Sequence, residues 1–236
     1  MKMPSVIMPY CAAVVPAAGS SSRMNGVDKI FYRLGGDPVI VRTLRVLSAC
    51  EYIGEIVLLV REDSVTRAAA LMNAYGLDKV TYVLAGGAER IDSVAAGVAV
   101  VSKKAKYIIV HDGARPLVTS DIVDRAVLAA KKFGAAACAV PVKDTVKLAE
   151  KGIVKDTPDR SSLFAVQTPQ VFDADLLRAA ITNAQEKELA VTDDCMAVEA
   201  IGGTVLLSEG SYENIKLTTK TDLKFAEAVL EQRREK

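Results

Sequence analysis

The segment Val14-Val15-Pro16-Ala17-Ala18-Gly19-Ser20-Ser21-Ser22-Arg23-Met24, with Lys29 shortly after it, combines small residues and cations in a way that suits phosphate. A buried strand that ends in small residues lets backbone N–H groups approach a ligand closely, and such amides bind phosphate well. Arg23 and Lys29 would place two positive charges beside the same phosphates, while Ala17 and Ala18 leave room for a flat base. The dinucleotide fingerprint is absent, because no GxGxxG occurs here. Walker A is absent too, because no GK[ST] follows. Taken alone, the segment reads equally well as a strand-to-loop turn with two solvated cations.

Two more segments carry potential chemistry. Gly86-Gly87-Ala88-Glu89-Arg90-Ile91-Asp92-Ser93 offers a permissive backbone at its glycines, the forked donor of Arg90 and the hydroxyl of Ser93. The plainer reading is a turn in which Asp92 or Ser93 caps a helix. Ile109-Val110-His111-Asp112-Gly113-Ala114-Arg115-Pro116 puts a carboxylate at the end of an apolar run. Carboxyl ends of parallel strands are where open α/β sheets bind ligands. Asp112 can hold Mg²⁺ there, directly or through water, and the planar fork of Arg115 suits a phosphate. His111 is the only histidine, so neither a His–carboxylate triad nor a His-rich metal site is supported, and it reads as structural.

Downstream lie Asp144-Thr145 and Asp159-Arg160, then Gln167-Thr168-Pro169-Gln170, Thr192-Asp193-Asp194 and Asn214-Ile215-Lys216. Each has an ordinary explanation. Thr192 before two acids makes a good helix start, Thr168-Pro169 suits a strand end, and an isolated Lys216 is usually a solvated surface residue.

These pieces need elements to hold them, and the pattern supplies an alternation. Short β-branched or Ala-rich runs at 12–16, 55–60, 80–84, 107–110 and 135–140 predict strands. Helical stretches at 39–49, 64–75, 92–101 and 122–133 lie between them, the last capped by Thr119 or Ser120 and ended by Gly134. Further elements are expected as a strand near 163–166, a helix through Leu176 to Ala184, a helix over 196–200, a strand over 204–207 and a final helix over 223–232. Strands joined by helical crossovers imply an α/β fold of Rossmann type, a mainly parallel sheet with helices on both faces.

Regularity breaks at Val142. Partial period-two alternation over 142–148, with Glu150-Lys151-Gly152 as a turn, predicts a hairpin. A lone hairpin buries too little to stand by itself. It must lie on the body or on another subunit, and the reading adopted is a protruding, dimer-forming β-arm at about 142–162. The chain reads as one domain over 1–236, without repeats or linkers.

Composition excludes several classes. Lys and Arg number 30 against 29 Asp and Glu, which argues against a broad electrostatic grip on nucleic acid or anionic membrane. No apolar stretch reaches the ~18 residues of a spanning helix. Pro4 and Pro9 interrupt the mildly apolar start, so a signal peptide is not expected and the protein reads as cytoplasmic. Cys11, Cys50, Cys138 and Cys195 form no CxxC pair and are expected as small, mostly core residues rather than disulfides or zinc ligands.

In order, PAAGxxxRM, GGxERxDSV, VHDxARP, PVxDTxK, TPQ, TDD and NIK resemble the 2-C-methyl-D-erythritol 4-phosphate cytidylyltransferases of the non-mevalonate isoprenoid pathway. The likeness runs from about residue 12 to 230. It implies a Rossmann-like fold, Mg²⁺-CTP as donor, a small sugar-alcohol phosphate as acceptor and a homodimer whose arms complete the acceptor site. The catalytic set it implies is Arg23, Lys29 and Lys216 around the triphosphate, with Asp112. Ala17, Ala18, Gly19, Gly87, Arg90 and Ser93 match the nucleotide side. Arg115, Thr145, Arg160, Thr168 and Thr192 match the acceptor side, some reached from the partner subunit. Ala88 stands where the family commonly has Asp.

A phosphate monoester has its second pKa near ~6 and is largely dianionic at neutral pH, so this acceptor needs no general base. Mg²⁺ and the cations would instead neutralise charge growing at the α-phosphate and on departing pyrophosphate. Two alternatives stay open on the residues: a CDP-ribitol-type or other sugar-phosphate nucleotidyltransferase, and a non-catalytic nucleotide-binding module.

Overall fold

The computed structural model of the chain describes residues 9–19 and 28–235. Its first half runs β1 (Cys11–Pro16), β2 (Arg33–Leu34), β3 (Asp37–Pro38), α1 (Val39–Ala49), β4 (Ile53–Val60), α2 (Val65–Ala74), β5 (Val80–Ala85) and α3 (Arg90–Val100). Then follow β6 (Tyr107–Val110), α4 (Ser120–Phe133), β7 (Ala135–Pro141), β8 (Leu148–Glu150), β9 (Ile153–Asp156) and β10 (Phe164–Asp173). The last elements are α5 (Ala174–Glu186), α6 (Asp194–Glu199), β11 (Leu206–Glu209) and α7 (Lys220–Arg234).

Seven strands form one sheet in the order β11-β7-β10-β6-β1-β4-β5. β10 alone runs against its neighbours; β6, β1, β4 and β5 pair in parallel, as do β11 and β7. Alternation along the buried strands sorts side chains between two layers. Ala13 and Val15 of β1 join Leu58 of β4 under α1, α2 and α4, whereas Ala12 and Val14 join Val57 and Leu59 under α3, α5 and α6. Both faces are covered, which is why these strands read as continuous apolar runs. A third cluster, with Leu34, Leu217, Leu223 and Val229, seats α7 against the small β2–β3 ladder.

α4 shows how local signals set an element's limits. It begins after the N-cap Thr119 and ends at Gly134, whose N–H donates to the Ala130 carbonyl at 2.7 Å. Between these limits Ile122, Val123, Ala126, Val127 and Ala130 face the core. All four cysteines are free and buried, Cys195 included. Among the described residues no helix is long and apolar enough to cross a membrane.

Three boundaries differ from the sequence expectation. β10 does not end near Val166 but continues through Thr168-Pro169 to Asp173. Its pairing with β7 shifts register between Val166 and Gln170, and such an irregularity is where a strand tolerates proline's missing N–H. β11 lies over Leu206–Glu209, two residues later than expected, in register with β7. The hairpin is confined to β8 and β9, because 142–147 carries no ladder; every residue of both strands is exposed.

Candidate active site

Parallel registers carry the carboxyl ends of β1, β4, β5 and β6 to the same side of the sheet. The chain leaves β1 for β4 on one flank and later places β6 on the other, so a crevice opens between the loops after β1 and β6. Ligands of open α/β sheets bind at such a switch point. A cavity of about 470 Å³ lies there. Ala17, Ala18 and Gly19 form its wall after β1, and Lys29 joins them from the next described stretch. Gly87, Arg90 and Ser93 enter after β5, Asp112 after β6, and Lys216 just before α7. Five separate segments of the sequence thus share one cavity.

The loop after β5 is shaped by close packing. A Cβ at Gly86 would stand 2.5 Å from Ala18 Cβ, and one at Gly87 would stand 2.2 Å from Asp92 Cβ. Only glycine permits that approach. Ser93 is 4 % exposed, and its hydroxyl accepts the Gly87 N–H at 3.1 Å and donates to the Glu89 carbonyl at 3.2 Å. Its main work is therefore to hold the loop against the cavity. Asp92 does cap α3, as part of a reciprocal capping box with Glu89.

Asp112 is the electrostatic centre. Its Oδ1 accepts from Arg90 at 2.6 Å, and its Oδ2 accepts from Arg115 Nε at 3.2 Å and lies 3.2 Å from Lys216 Nζ. Burial opposes ionisation of this carboxyl, but Arg90, Lys216 and Arg115 outweigh it and hold its pKa well below the usual range. The Arg90 guanidinium also loses solvation, yet Asp194 and Asp112 more than compensate and raise its pKa. His111 is fully buried, its pKa pulled down to about 4 by burial. Its Nδ1 lies 3.1 Å from Thr168 Oγ, which also accepts the Asp112 N–H at 3.0 Å.

Several expected site residues are placed elsewhere. Arg115 does not line the cavity. Its side chain is 11 % exposed; Nε donates to Asp112 and Nη1 donates to the Asn214 carbonyl at 2.7 Å. Thr168 is buried and braces Asp112 from β10 rather than facing the cavity. Thr192 is exposed with its hydroxyl 3.9 Å from Met196 Sδ, and the N-cap of α6 is Asp193 instead. Thr145 and Arg160 are exposed on the arm segment, where Arg160 donates to the Lys143 carbonyl at 2.9 Å. Arg23 lies outside the described residues.

Other contributors were missed in the sequence. Ala114, Glu89 and Thr218 line the cavity. Asn214 is fully buried and donates to Gln167 Oε1 at 3.2 Å and to the Thr168 carbonyl at 2.9 Å, which fixes the start of the NIK segment. A buried, doubly bonded asparagine two residues before Lys216 was the available signal, but only tertiary contacts reveal its burial. Among the described residues no group of three or more His, Cys, Asp or Glu can hold a metal. The donor set fits a cation that brings phosphate oxygens and water with it, with Asp112 as the protein carboxylate. It does not fit an all-protein cage.

Comparison with known proteins identifies the family of the chain. The family model for 2-C-methyl-D-erythritol 4-phosphate cytidylyltransferase matches residues 11–232. A protein of Alkaliphilus oremlandii bearing that name is 41 % identical over 227 residues, which cover 95 % of this chain and 96 % of the relative. One of Bacillus velezensis, also so named, is 45 % identical over 219 residues, covering 92 % and 94 %. The crystal structure of 4-diphosphocytidyl-2C-methyl-D-erythritol synthase from Anaerococcus prevotii superposes with a TM-score of 0.84 at 31 % identity, covering 94 % of this chain and 99 % of that one. With a shared fold and a match over nearly its whole length, the chain belongs to the 2-C-methyl-D-erythritol 4-phosphate cytidylyltransferase family.

Proposed function

We propose that this chain transfers the cytidylyl group of CTP to the phosphate of 2-C-methyl-D-erythritol 4-phosphate, releasing pyrophosphate and supplying a CDP-linked isoprenoid precursor. The observation that carries the reading is the convergence of Lys29, Lys216, Arg90 and Asp112 on the cavity beyond β1 and β6. A nucleotide enters with its base toward Ala17, Ala18 and the Gly87 loop, where small residues leave room for a flat ring. Backbone groups there discriminate cytosine from uracil, since a mismatched buried polar group costs about 1–3 kcal/mol. The triphosphate lies along Lys29 and Lys216.

The acceptor phosphate needs no base, and no histidine is free to act as one. The protein's task is to bring two anions together and to stabilise charge on the departing pyrophosphate. Mg²⁺ supplies further charge neutralisation when bound, with Asp112 as its carboxylate. Lys216 is 42 % exposed at its side chain and can turn from Asp112 to a phosphate without leaving a deeply buried charge unpaired.

The single domain carries a hairpin arm that serves a homodimer. Leu148, Ile153 and Val154 are 54 %, 66 % and 54 % exposed on it, and a two-stranded ribbon does not bury its own apolar residues. In this reading Thr145 and Arg160 of the arm complete the acceptor site of the partner, and the dimer works in the cytoplasm without membrane or nucleic acid.

The test is pyrophosphate release, crossing CTP, UTP and ATP with methylerythritol phosphate and ribitol phosphate. Turnover is expected with CTP and methylerythritol phosphate. Turnover with ribitol phosphate alone would assign the neighbouring transferase activity instead, and CTP binding without any turnover would leave a nucleotide-binding module.

A further inference from the structure

Asp194 is a buried carboxylate with no place on the cavity wall, yet its ion-pair partner reaches that wall. Arg90 spans two carboxylates: Nη1 donates to Asp112 Oδ1 at 2.6 Å and Nη2 donates to Asp194 Oδ2 at 2.7 Å. Asp194 is 3 % exposed, and Arg90 lines the cavity. The position of Asp194 is itself fixed from β10. Its N–H donates to Gln170 Oε1 at 3.2 Å, while Gln170 Nε2 donates to Asp193 Oδ2 at 2.8 Å. Asp193 in turn accepts the Met196 N–H at 3.0 Å and so caps α6.

A guanidinium offered a single carboxylate tends to close on both of its oxygens. Here such closure would take Asp112 Oδ2, the oxygen that now meets Lys216 and Arg115. Dividing the fork between two acids prevents it. Asp194 draws one arm of Arg90 away, so that Arg90 engages Oδ1 alone and Oδ2 stays with Lys216. Two tethered nitrogens also fix the guanidinium plane, which one partner would not do.

We infer that Asp194 is a positioning residue for the transferase reaction, acting through Arg90 on the Asp112–Lys216 pair. This rests on the cytidylyl transfer proposed above. A residue that only stabilised α6 would share the burial and the hydrogen bonds of its neighbours, but its loss would not depend on the state of Arg90.

The test is a double-mutant cycle on turnover: wild type, Asp194→Asn, Arg90→Lys and the combined variant, each with its melting temperature measured. Asp194→Asn keeps the shape and loses the charge; Arg90→Lys keeps the charge but cannot span both acids. Each single change is expected to lower kcat roughly 10–100-fold with the KM for methylerythritol phosphate within about 2-fold, and the combined variant should be no worse than the weaker single one. Multiplying losses in the combined variant, or an Asp194→Asn kcat within about 2-fold of wild type, would overturn the inference. If Asp194→Asn does not fold, Arg90→Lys decides alone, because an unchanged kcat there removes the need for a bridge. A wild type inactive with CTP and methylerythritol phosphate removes the reaction and the inference together, whereas an active wild type leaves the cycle to judge the inference alone.

Discussion

Lys216 Nζ stands 3.2 Å from Asp112 Oδ2, joining the segment before α7 to the carboxyl end of β6. Arg115 Nε shares that oxygen, and Arg90 holds the other. The resting cavity therefore keeps its principal cation on an internal carboxylate. Under the function proposed above, a triphosphate would compete with Asp112 for Lys216, while Arg115 would keep its hold on Oδ2.

Loss of a single cavity cation gives the first prediction. Lys29→Ala and Lys216→Ala are each expected to lower kcat by about 10²–10³, the scale of removing one donor to transition-state charge. Pyrophosphate-release kinetics measure it. A kcat within a few-fold of wild type would remove that lysine from the mechanism.

Asp112→Asn is expected to affect both stability and turnover. The change leaves Arg90, Arg115 and Lys216 without their shared counter-charge, and breaking a buried pair costs about 3–5 kcal/mol. Urea unfolding at pH 7 checks the stability loss. A variant as stable as wild type would show that the three cations do not depend on this carboxylate.

The arm yields a prediction about substrates. Arg160→Ala is expected to raise the KM for methylerythritol phosphate at least about tenfold with the KM for CTP little changed, the pattern of lost binding that is remote from the nucleotide. Mixing this variant with Lys29→Ala should restore part of the activity if the arm serves the partner's site. A change in CTP affinity alone would contradict the assignment.

His111 gives a pH dependence whose sign follows from its environment. Burial lowers its pKa to about 4 from the ordinary 6.5, so the unfolded chain binds the proton more readily across that window. The stabilisation is fully present above pH 6.5 and is lost as pH falls through 4. Between pH 7 and pH 5 the loss amounts to about 2 kcal/mol. His111→Gln should flatten the wild-type pH dependence of urea unfolding by that amount; equal slopes would count against it.

Removal of divalent cations is expected to abolish turnover, with Mg²⁺ restoring it. Full activity in excess chelator would show that the side-chain cations suffice.

Much of the architecture was legible before any coordinates. α1 matches its expected span, and β1, β4, β5, β6 and β7 lie within a residue or two of the predicted runs, because strands buried on both faces must be apolar throughout. α4 ends at Gly134 as expected and begins after Thr119, one of the two N-caps considered, since helix ends follow local signals. The misplaced elements are those governed by partners. β10 passes through a proline because its neighbours accommodate the irregularity, and the ladder of the arm covers fewer residues than the alternation suggested.

By itself the sequence determined which groups were available: small residues after a first strand, a glycine pair, one aspartate and a scatter of cations. Local spacing fixes residue type, backbone freedom and capping, and the order of motifs marks the family. The tertiary structure alone decided how those groups were shared. It placed Lys29, Arg90, Asp112 and Lys216 on one cavity while turning Arg115 and Thr168 inward as supports. It also brought Asp194 to Arg90 across the sheet. Such divisions depend on long-range contacts and on the cost of burying an unpaired charge, and neither is written in the neighbourhood of any one residue.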